Sequence, residues 1–307
     1  MLAAVLLSFA LTQASPTATE VSIPTHPGVL AGTMLDVGDG APAALIIAGS
    51  GPTDRDGNSR LGISAPTYRL LAEGLAAEGV TTLRYDKRGV GGSAGALISE
   101  AELDFGDMVA DARAWASLLR AETGQSCVWL IGHSEGSLIG QAAAVDNPDV
   151  CGLVLVSGAG RPAATILREQ ISATTPEPYL SQALTVLAEL EAGRTVECPP
   201  LMAALCRPSL QPYIISWMAM DPVALAAAET RPILVVQGST DIQTTVVDAQ
   251  ALAGARDGIE LVVLEGVNHV LKVAPADRAA NVATYSNPDL PLADGVVDAI
   301  ARFIIQR

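Results

Sequence analysis

Val128-Trp129-Leu130-Ile131-Gly132-His133-Ser134-Glu135-Gly136-Ser137-Leu138 is the stretch on which the fold turns. It opens with a short apolar, β-prone run, carries a serine with glycine two residues away on each side, and continues into a helical pattern. A serine so flanked, between a strand and a helix, is the G-x-S-x-G turn that exposes its hydroxyl at the end of a strand. Glycine permits that turn because Cβ atoms there would crowd the neighbouring strand and helix. The helix N-terminus behind Ser134 also favours negative charge developing at an attacked carbonyl.

Working outward, short apolar runs recur at 43–48, 80–85, 153–156, 233–236 and 261–264, as at 128–131. They are continuous and not alternating, as expected of strands covered on both faces. Between them lie helical patterns at 67–78, 104–121 and 138–145, and a last one at 295–304 places Val296, Val297, Ile300, Phe303 and Ile304 on one stripe. Strand alternating with helix predicts a mostly parallel sheet with helices on both faces, an α/β layer. The interval 160–230 breaks the rhythm, reading as helices separated by turns at Pro176, Pro178, Pro199, Pro200, Pro208 and Pro212. Both its ends join core strands, so this helical insertion is expected above the C-terminal edge of the sheet, where open α/β sheets bind ligands. The core then has a first part over 15–159 and a second over 231–307.

Of the 307 residues, 50% are hydrophobic and 17% charged, enough for a large core and too apolar for a disordered chain. Against 33 Asp and Glu stand 18 Lys and Arg, and the net charge of -15 repels phosphate backbones and anionic headgroups, so nucleic acid is a poor partner. Residues 2–11 form an apolar run followed by the small-residue site Thr12-Gln13-Ala14, which reads as a signal peptide over 1–14 although no Lys or Arg precedes it. The run is shorter than the roughly twenty residues that cross a bilayer, and no later stretch stays apolar long enough, so no integral membrane span is expected. The alternative is a buried N-terminal segment.

Four cysteines suit an exported protein, periplasmic or extracellular. Cys127 and Cys151 each stand just before an expected strand, and neighbouring parallel strands would bring them together at one sheet end. Cys198 and Cys206 flank Pro199-Pro200, and a bridge there would close a loop of about nine residues, worth about 2–3 kcal/mol on the loop-entropy picture. Four buried free thiols remain the alternative.

A serine hydroxyl needs a base, and the chain offers three histidines, His26, His133 and His269. His133 adjoins Ser134, with its side chain expected to point elsewhere, and His26 lies upstream of the core strands. His269 follows the strand at 261–264 in a loop at the same sheet edge. The residue that orients it should follow the preceding strand, and Gly238-Ser239-Thr240-Asp241 supplies Asp241, with Asp248 a possible substitute. The order Ser134, Asp241, His269 is that of α/β-hydrolases and not of chymotrypsin or subtilisin. One oxyanion donor is the backbone N–H of Glu135, whose carboxylate is read as doing no chemistry. The second should come from the loop Gly49-Ser50-Gly51-Pro52-Thr53-Asp54-Arg55-Asp56-Gly57-Asn58, with Ser50 first and Gly51 second; a plain Gly-Pro turn is the alternative.

The turn at Ser134, that loop and Arg84-Tyr85-Asp86-Lys87-Arg88-Gly89-Val90-Gly91-Gly92-Ser93 together resemble the serine-aminopeptidase-like branch of the α/β-hydrolase superfamily, over about 40–158 and 231–305. Members with this loop are typically carboxylesterases. A serine nucleophile working with a histidine base needs no metal or cofactor, and the resemblance implies the α/β-hydrolase fold with a helical cap and a small-molecule ester substrate, its acyl group apolar if the insertion lines the pocket. It also implies structural roles for Asp86 and Arg88, tying their loop to the oxyanion loop. A peptidase or acyltransferase with the same three residues is the nearest alternative, and a noncatalytic binding protein on a hydrolase scaffold the more distant one. Met202, Leu205, Ile214, Ile215, Trp217, Met218 and Met220 of the insertion either line an acyl pocket or form the insertion's own core.

Overall fold

The structure is a computed structural model that describes residues 16–307; the signal-peptide expectation over 1–14 lies outside the described residues. In chain order the core begins with strands β1 (Thr17–Pro24), β2 (Val29–Asp36) and β3 (Ala43–Ile47), a two-residue pair β4 (Asn58–Ser59) and β5 (Ile63–Ser64), helix α1 (Thr67–Ala77) and strand β6 (Thr81–Tyr85). There follow α2 (Phe105–Thr123), β7 (Val128–His133), α3 (Glu135–Ala144) and β8 (Val150–Val156). Five helices come next, α4 (Ala163–Thr174), α5 (Tyr179–Glu191), α6 (Ala203–Cys206), α7 (Gln211–Met218) and α8 (Pro222–Ala228). The chain then returns to the sheet with β9 (Ile233–Gly238), α9 (Val246–Ala253), β10 (Glu260–Leu264), α10 (Arg278–Ala283) and α11 (Val296–Ile305).

The main sheet has eight strands in the order β1-β2-β6-β3-β7-β8-β9-β10. From β6 to β10 all neighbours are parallel, while β1 pairs with β2 and β2 with β6 antiparallel. β3, β6, β7 and β9 are buried along their whole length, the burial of strands sandwiched between helices. Alternate residues therefore serve two cores. Leu45, Ile47, Leu130 and Leu155 join Phe105, Trp115 and Leu119 of α2 on one face, and Ile46, Ile131, Val154 and Val236 join Leu71 and Leu75 of α1 and Ile300 and Phe303 of α11 on the other.

The antiparallel pair β1–β2 is a feature the apolar runs did not announce. β1 is exposed along most of its length, and a sheet edge is where polar residues keep a strand from recruiting another chain. The helix expected from 138 starts instead at Glu135, directly after Ser134. Gly136, a poor helix former, sits in its first turn because the helix must approach β3 there. α2 begins where its cap dictates: the Asp104 carboxylate accepts from Asp107 N–H at 3.0 Å and the Asp107 carboxylate accepts from Asp104 N–H at 3.0 Å.

Cys127 and Cys151 are joined, with Cα atoms 5.1 Å apart, and so are Cys198 and Cys206, at 5.4 Å. Among the described residues, no helix is long and apolar enough to cross a membrane. The helices between β8 and β9 have a small core of their own, with Leu187, Leu190, Cys206, Ile214 and Met218 buried and Met202 and Ile215 packed against it. Met220 packs on the main core, and Trp217 lines a cavity shared with Ser134.

Candidate active site

β7 runs straight into α3 with one residue between them, and that residue is Ser134, at φ 56° and ψ -122°. A non-glycine residue with positive φ is strained, and such strain persists only where the surroundings hold it. Here Ser134 N–H donates to Val156 C=O at 2.9 Å and Ser137 N–H donates to Ser134 C=O at 3.0 Å. The two flanking glycines are sterically required: a Cβ on Gly132 would lie 2.2 Å from Gly136 O, and one on Gly136 would lie 2.3 Å from Ile47 O.

Asp241 and His269 come from loops after β9 and β10, and the structure brings them together with His269 Nδ1 2.8 Å from Asp241 Oδ2. Asp241 is held from several sides. Gln243 N–H and Thr244 N–H donate to Oδ1 at 2.8 and 3.1 Å, and Thr244 Oγ1 and Gln237 Nε2 donate to Oδ2 at 3.1 and 3.2 Å. Burial opposes ionisation of this carboxyl, but the facing His269 and these donors more than offset it, so its pKa lies below the ordinary carboxylate value. With Nδ1–H committed to Asp241, Nε2 is the ring nitrogen left to accept a proton.

The two loops are clamped by the fully buried Asn281 of α10. Its Nδ2 donates to Thr240 C=O at 2.8 Å, and its Oδ1 accepts from Asn268 Nδ2 at 3.2 Å. Asp248 stands elsewhere: its carboxylate accepts from Arg161 Nε and Nη2, both at 2.9 Å, and caps α9 by accepting from Thr245 N–H.

His133, expected to point away, stands beside the pair, its ring centroid 4.8 Å from that of His269. Its Nε2 lies 2.7 Å from the His269 carbonyl and its Nδ1 2.9 Å from Tyr68 Oη. A carbonyl can only accept, so Nε2 carries the proton, Nδ1 accepts from the tyrosine, and Tyr68 Oη in turn accepts from Gly49 N–H at 2.9 Å. The relay thus joins the loop after β3 to the loop of His269. Burial, and secondarily the charge of His269, push the His133 pKa down to about 3.

A histidine kept neutral in the fold but free to protonate when unfolded, near 6.5, supports stability fully above that pH and progressively less down to about 3. Between pH 7 and pH 4 the loss from this group is about 3 kcal/mol. In urea unfolding at the two pH values, His133→Gln should shrink the pH-dependent loss by about that amount. An identical loss in wild type and variant would contradict the assignment.

The loop over 49–58 is pinned by its own charged residues. Asp54 Oδ1 accepts from Asp56, Gly57 and Asn58 N–H groups. The buried Asp86 accepts from Arg55 N–H at 2.7 Å, Arg55 Nε at 3.1 Å and Gly92 N–H at 2.8 Å, tying the loop after β6 to this one. Arg88 does not share that tie: its Nη2 donates to Asp111 of α2 at 2.6 Å, because two residues beyond Asp86 the chain has turned toward that helix.

Ser50 lines two cavities together with Ser134, whereas Gly51 lines a neighbouring one without it. The N–H groups of Ser50 and Glu135 donate to no protein acceptor among the described residues. One Ser134 cavity, of about 110 Å³, is faced by Glu135, Leu138, Ile166, Leu167 and Trp217. The other, of about 60 Å³, is faced by Tyr68, His133 and His269. No hydrogen bond joins Ser134 to His269 among the described residues, yet both face that smaller cavity. Unliganded sites commonly hold this contact long until substrate tightens it.

Tyr68, His133, Asn281 and Lys87 were not singled out from the sequence as parts of this site. The one local hint was the position of His133 next to Ser134.

Comparison with known proteins adds to this geometry. A family model described as serine aminopeptidase, S33, matches residues 58–272. Esterase EstD of Thermotoga maritima is 25% identical over 272 residues, 86% of this chain and 62% of the relative, so the chain spans less than two thirds of that protein. The putative carbamate hydrolase RutD of Variovorax paradoxus is 36% identical over 119 residues, 37% of this chain and 42% of that one. An esterase of Pyrococcus furiosus matches with a TM-score of 0.59 at 17% identity, covering 98% of this chain and 97% of its own. A hypothetical protein of Pseudomonas aeruginosa matches with a TM-score of 0.63 at 16% identity over 99% of both chains. At these identities the structural likeness is one of fold.

Proposed function

The chain belongs to the serine aminopeptidase S33 family, with the α/β-hydrolase fold, and from that premise we propose that it is a serine hydrolase cleaving carboxylic esters through an acyl-enzyme. The observation that carries the proposal is the buried His269–Asp241 pair, 2.8 Å apart, facing the cavity into which the strained turn presents Ser134. Ser134 Oγ attacks the ester carbonyl while His269 Nε2 takes its proton, and Asp241 keeps the imidazole in the Nδ1–H form and stabilises the imidazolium. The N–H groups of Ser50 and Glu135 receive the oxyanion. Collapse of the tetrahedral intermediate breaks the bond to the alcohol oxygen, which leaves with the proton from His269. Water then attacks the acyl-enzyme, giving its proton to His269, and Ser134 is released with that proton as the acid departs.

In this reading the helices over 160–230 form a cap. Its Ile166, Leu167 and Trp217 give a mostly apolar wall to the cavity of about 110 Å³ on the acyl side, which Arg161 and Gln170 also line. That volume is well below the roughly 300–1,000 Å³ of sites for drug-sized ligands, which favours a short apolar acyl group. Export to an oxidising compartment is part of the same proposal, supported by the two joined cysteine pairs.

A panel of p-nitrophenyl esters from acetate to palmitate, with a matched p-nitroanilide and an acceptor alcohol as controls, tests the assignment. The expected result is kcat/KM highest at short acyl chains, falling at least about tenfold by the long ones, with activity in the cell-external fraction. Faster anilide cleavage would point to a peptidase, and dominant transfer to the alcohol to an acyltransferase. Either outcome overturns the ester assignment.

A further inference from the structure

Lys87 follows β6 by two residues, yet it is only 5% exposed, an unusual place for a lysine. Its Nζ donates to the Gly49 carbonyl and stands 3.5 Å from the carboxylate of Glu135, which is 7% exposed. Withdrawing both charges from water is costly, and well-packed apolar residues in place of such a pair usually serve stability as well or better. The pair is therefore poorly explained as a stabilising device, and what it touches suggests another use.

Gly49 C=O and Ser50 N–H are opposite ends of one peptide plane, and in a trans peptide they point in opposite directions. Fixing the carbonyl on Lys87 thus fixes the amide hydrogen of Ser50 on the other side of the loop. The cavities agree with that geometry. Lys87 lines a cavity of about 260 Å³ with Gly51, Pro52 and Tyr213, and neither Ser50 nor Ser134 reaches it. Ser50 lines two cavities together with Ser134. The preceding peptide is fixed as well, since Gly49 N–H donates to Tyr68 Oη at 2.9 Å. The residue whose carboxylate holds Lys87 is also the one whose backbone N–H is the other expected oxyanion donor. A single ammonium therefore links the two halves of the oxyanion site.

We propose that Lys87 is a positioning residue that aims the Ser50 amide at the oxyanion, and that the Glu135 side chain serves to hold Lys87; this rests on the serine-hydrolase reading above. Lys87 touches no reacting atom. Its removal should leave substrate binding nearly unchanged and weaken only what binds developing negative charge.

Lys87→Met on its own leaves the buried Glu135 carboxylate without its cation, so Lys87→Met/Glu135→Gln is made beside it, with Lys87→Arg as the conservative change. Each is assayed with a short p-nitrophenyl ester and with a short alkyl boronic acid, whose adduct with serine is tetrahedral and anionic. Loss of one whole oxyanion donor costs about 10²- to 10³-fold in kcat. Misaiming one should cost about 10- to 100-fold in kcat, with KM within about threefold, boronate affinity reduced in parallel with kcat, and partial recovery in Lys87→Arg. A double variant that unfolds at the wild-type urea concentration and keeps wild-type kcat and boronate affinity would overturn the role of Lys87 while leaving the hydrolase reading intact. A loss of stability with unchanged kcat per folded molecule would do the same. A wild-type protein that turns over no ester and takes up no boronate would remove the hydrolase reading and this inference together.

Discussion

Replacing Ser134 with alanine is expected to lower kcat by about four to six orders of magnitude while shifting stability by no more than about 0.5 kcal/mol. The first part follows from the mechanism, since no acyl-enzyme forms without the hydroxyl. The second follows from the structure. Ser134 Oγ makes no hydrogen bond among the described residues, and alanine meets the same positive φ of 56° that serine already tolerates. Steady-state turnover of a short p-nitrophenyl ester and urea unfolding on the same preparation check both halves. A variant that kept its activity would remove Ser134 from the mechanism. One that lost activity together with its fold would leave the hydroxyl's chemical role unsupported.

Exchanging Asp241 for asparagine should cost about four orders of magnitude in kcat, because the amide stabilises the wrong histidine tautomer and offers no charge to the imidazolium. The matched control is Asp248→Asn, seven residues onward in the first turn of α9. Asp248 is fully buried, paired with Arg161 and caps α9, while Arg161 is partly exposed and keeps Glu169 as a partner, so loss of the Asp248 carboxylate should lower stability by about 1–2 kcal/mol and leave kcat within a few-fold. Kinetics on the two variants decide between the carboxylates: the reverse ranking, with Asp248→Asn the inactive one, would assign the orienting role to Asp248. The structure already separates them in space, with Asp241 against His269 and Asp248 against Arg161.

What the sequence made legible were the features in which a local pattern carries the physics. The inner parallel strands announce themselves because burial on both faces demands continuous apolar runs, although the edge strand β10 carries such a run with none of its residues buried, and the turn at Ser134 because two close approaches exclude every residue but glycine. Asp241 and His269 could be nominated together because each follows a strand ending at the same sheet edge. In the hairpin, β1 was not legible because an exposed edge strand needs no apolar face, and β2, though mostly buried, has its apolar run broken by Gly32 and Thr33. The roles of His133 and Lys87 were hidden for another reason. Their partners lie far away in the chain, with His133 bonded to residues 65 and 136 positions off and Lys87 to one 38 positions off. No periodicity records such contacts. The insertion's apolar residues, undecided between pocket and core, divide between the two: Ile214 and Met218 sit in its small core and Trp217 faces the cavity beside Ser134.

Reaction of the intact protein with a fluorophosphonate, followed by mass spectrometry of its peptides, tests the central claim most directly. Ser134 should take up one equivalent of phosphonyl group, and ester turnover should disappear in step with the labelling. Labelling on a different serine, or full retention of turnover by protein labelled at Ser134, would contradict the account.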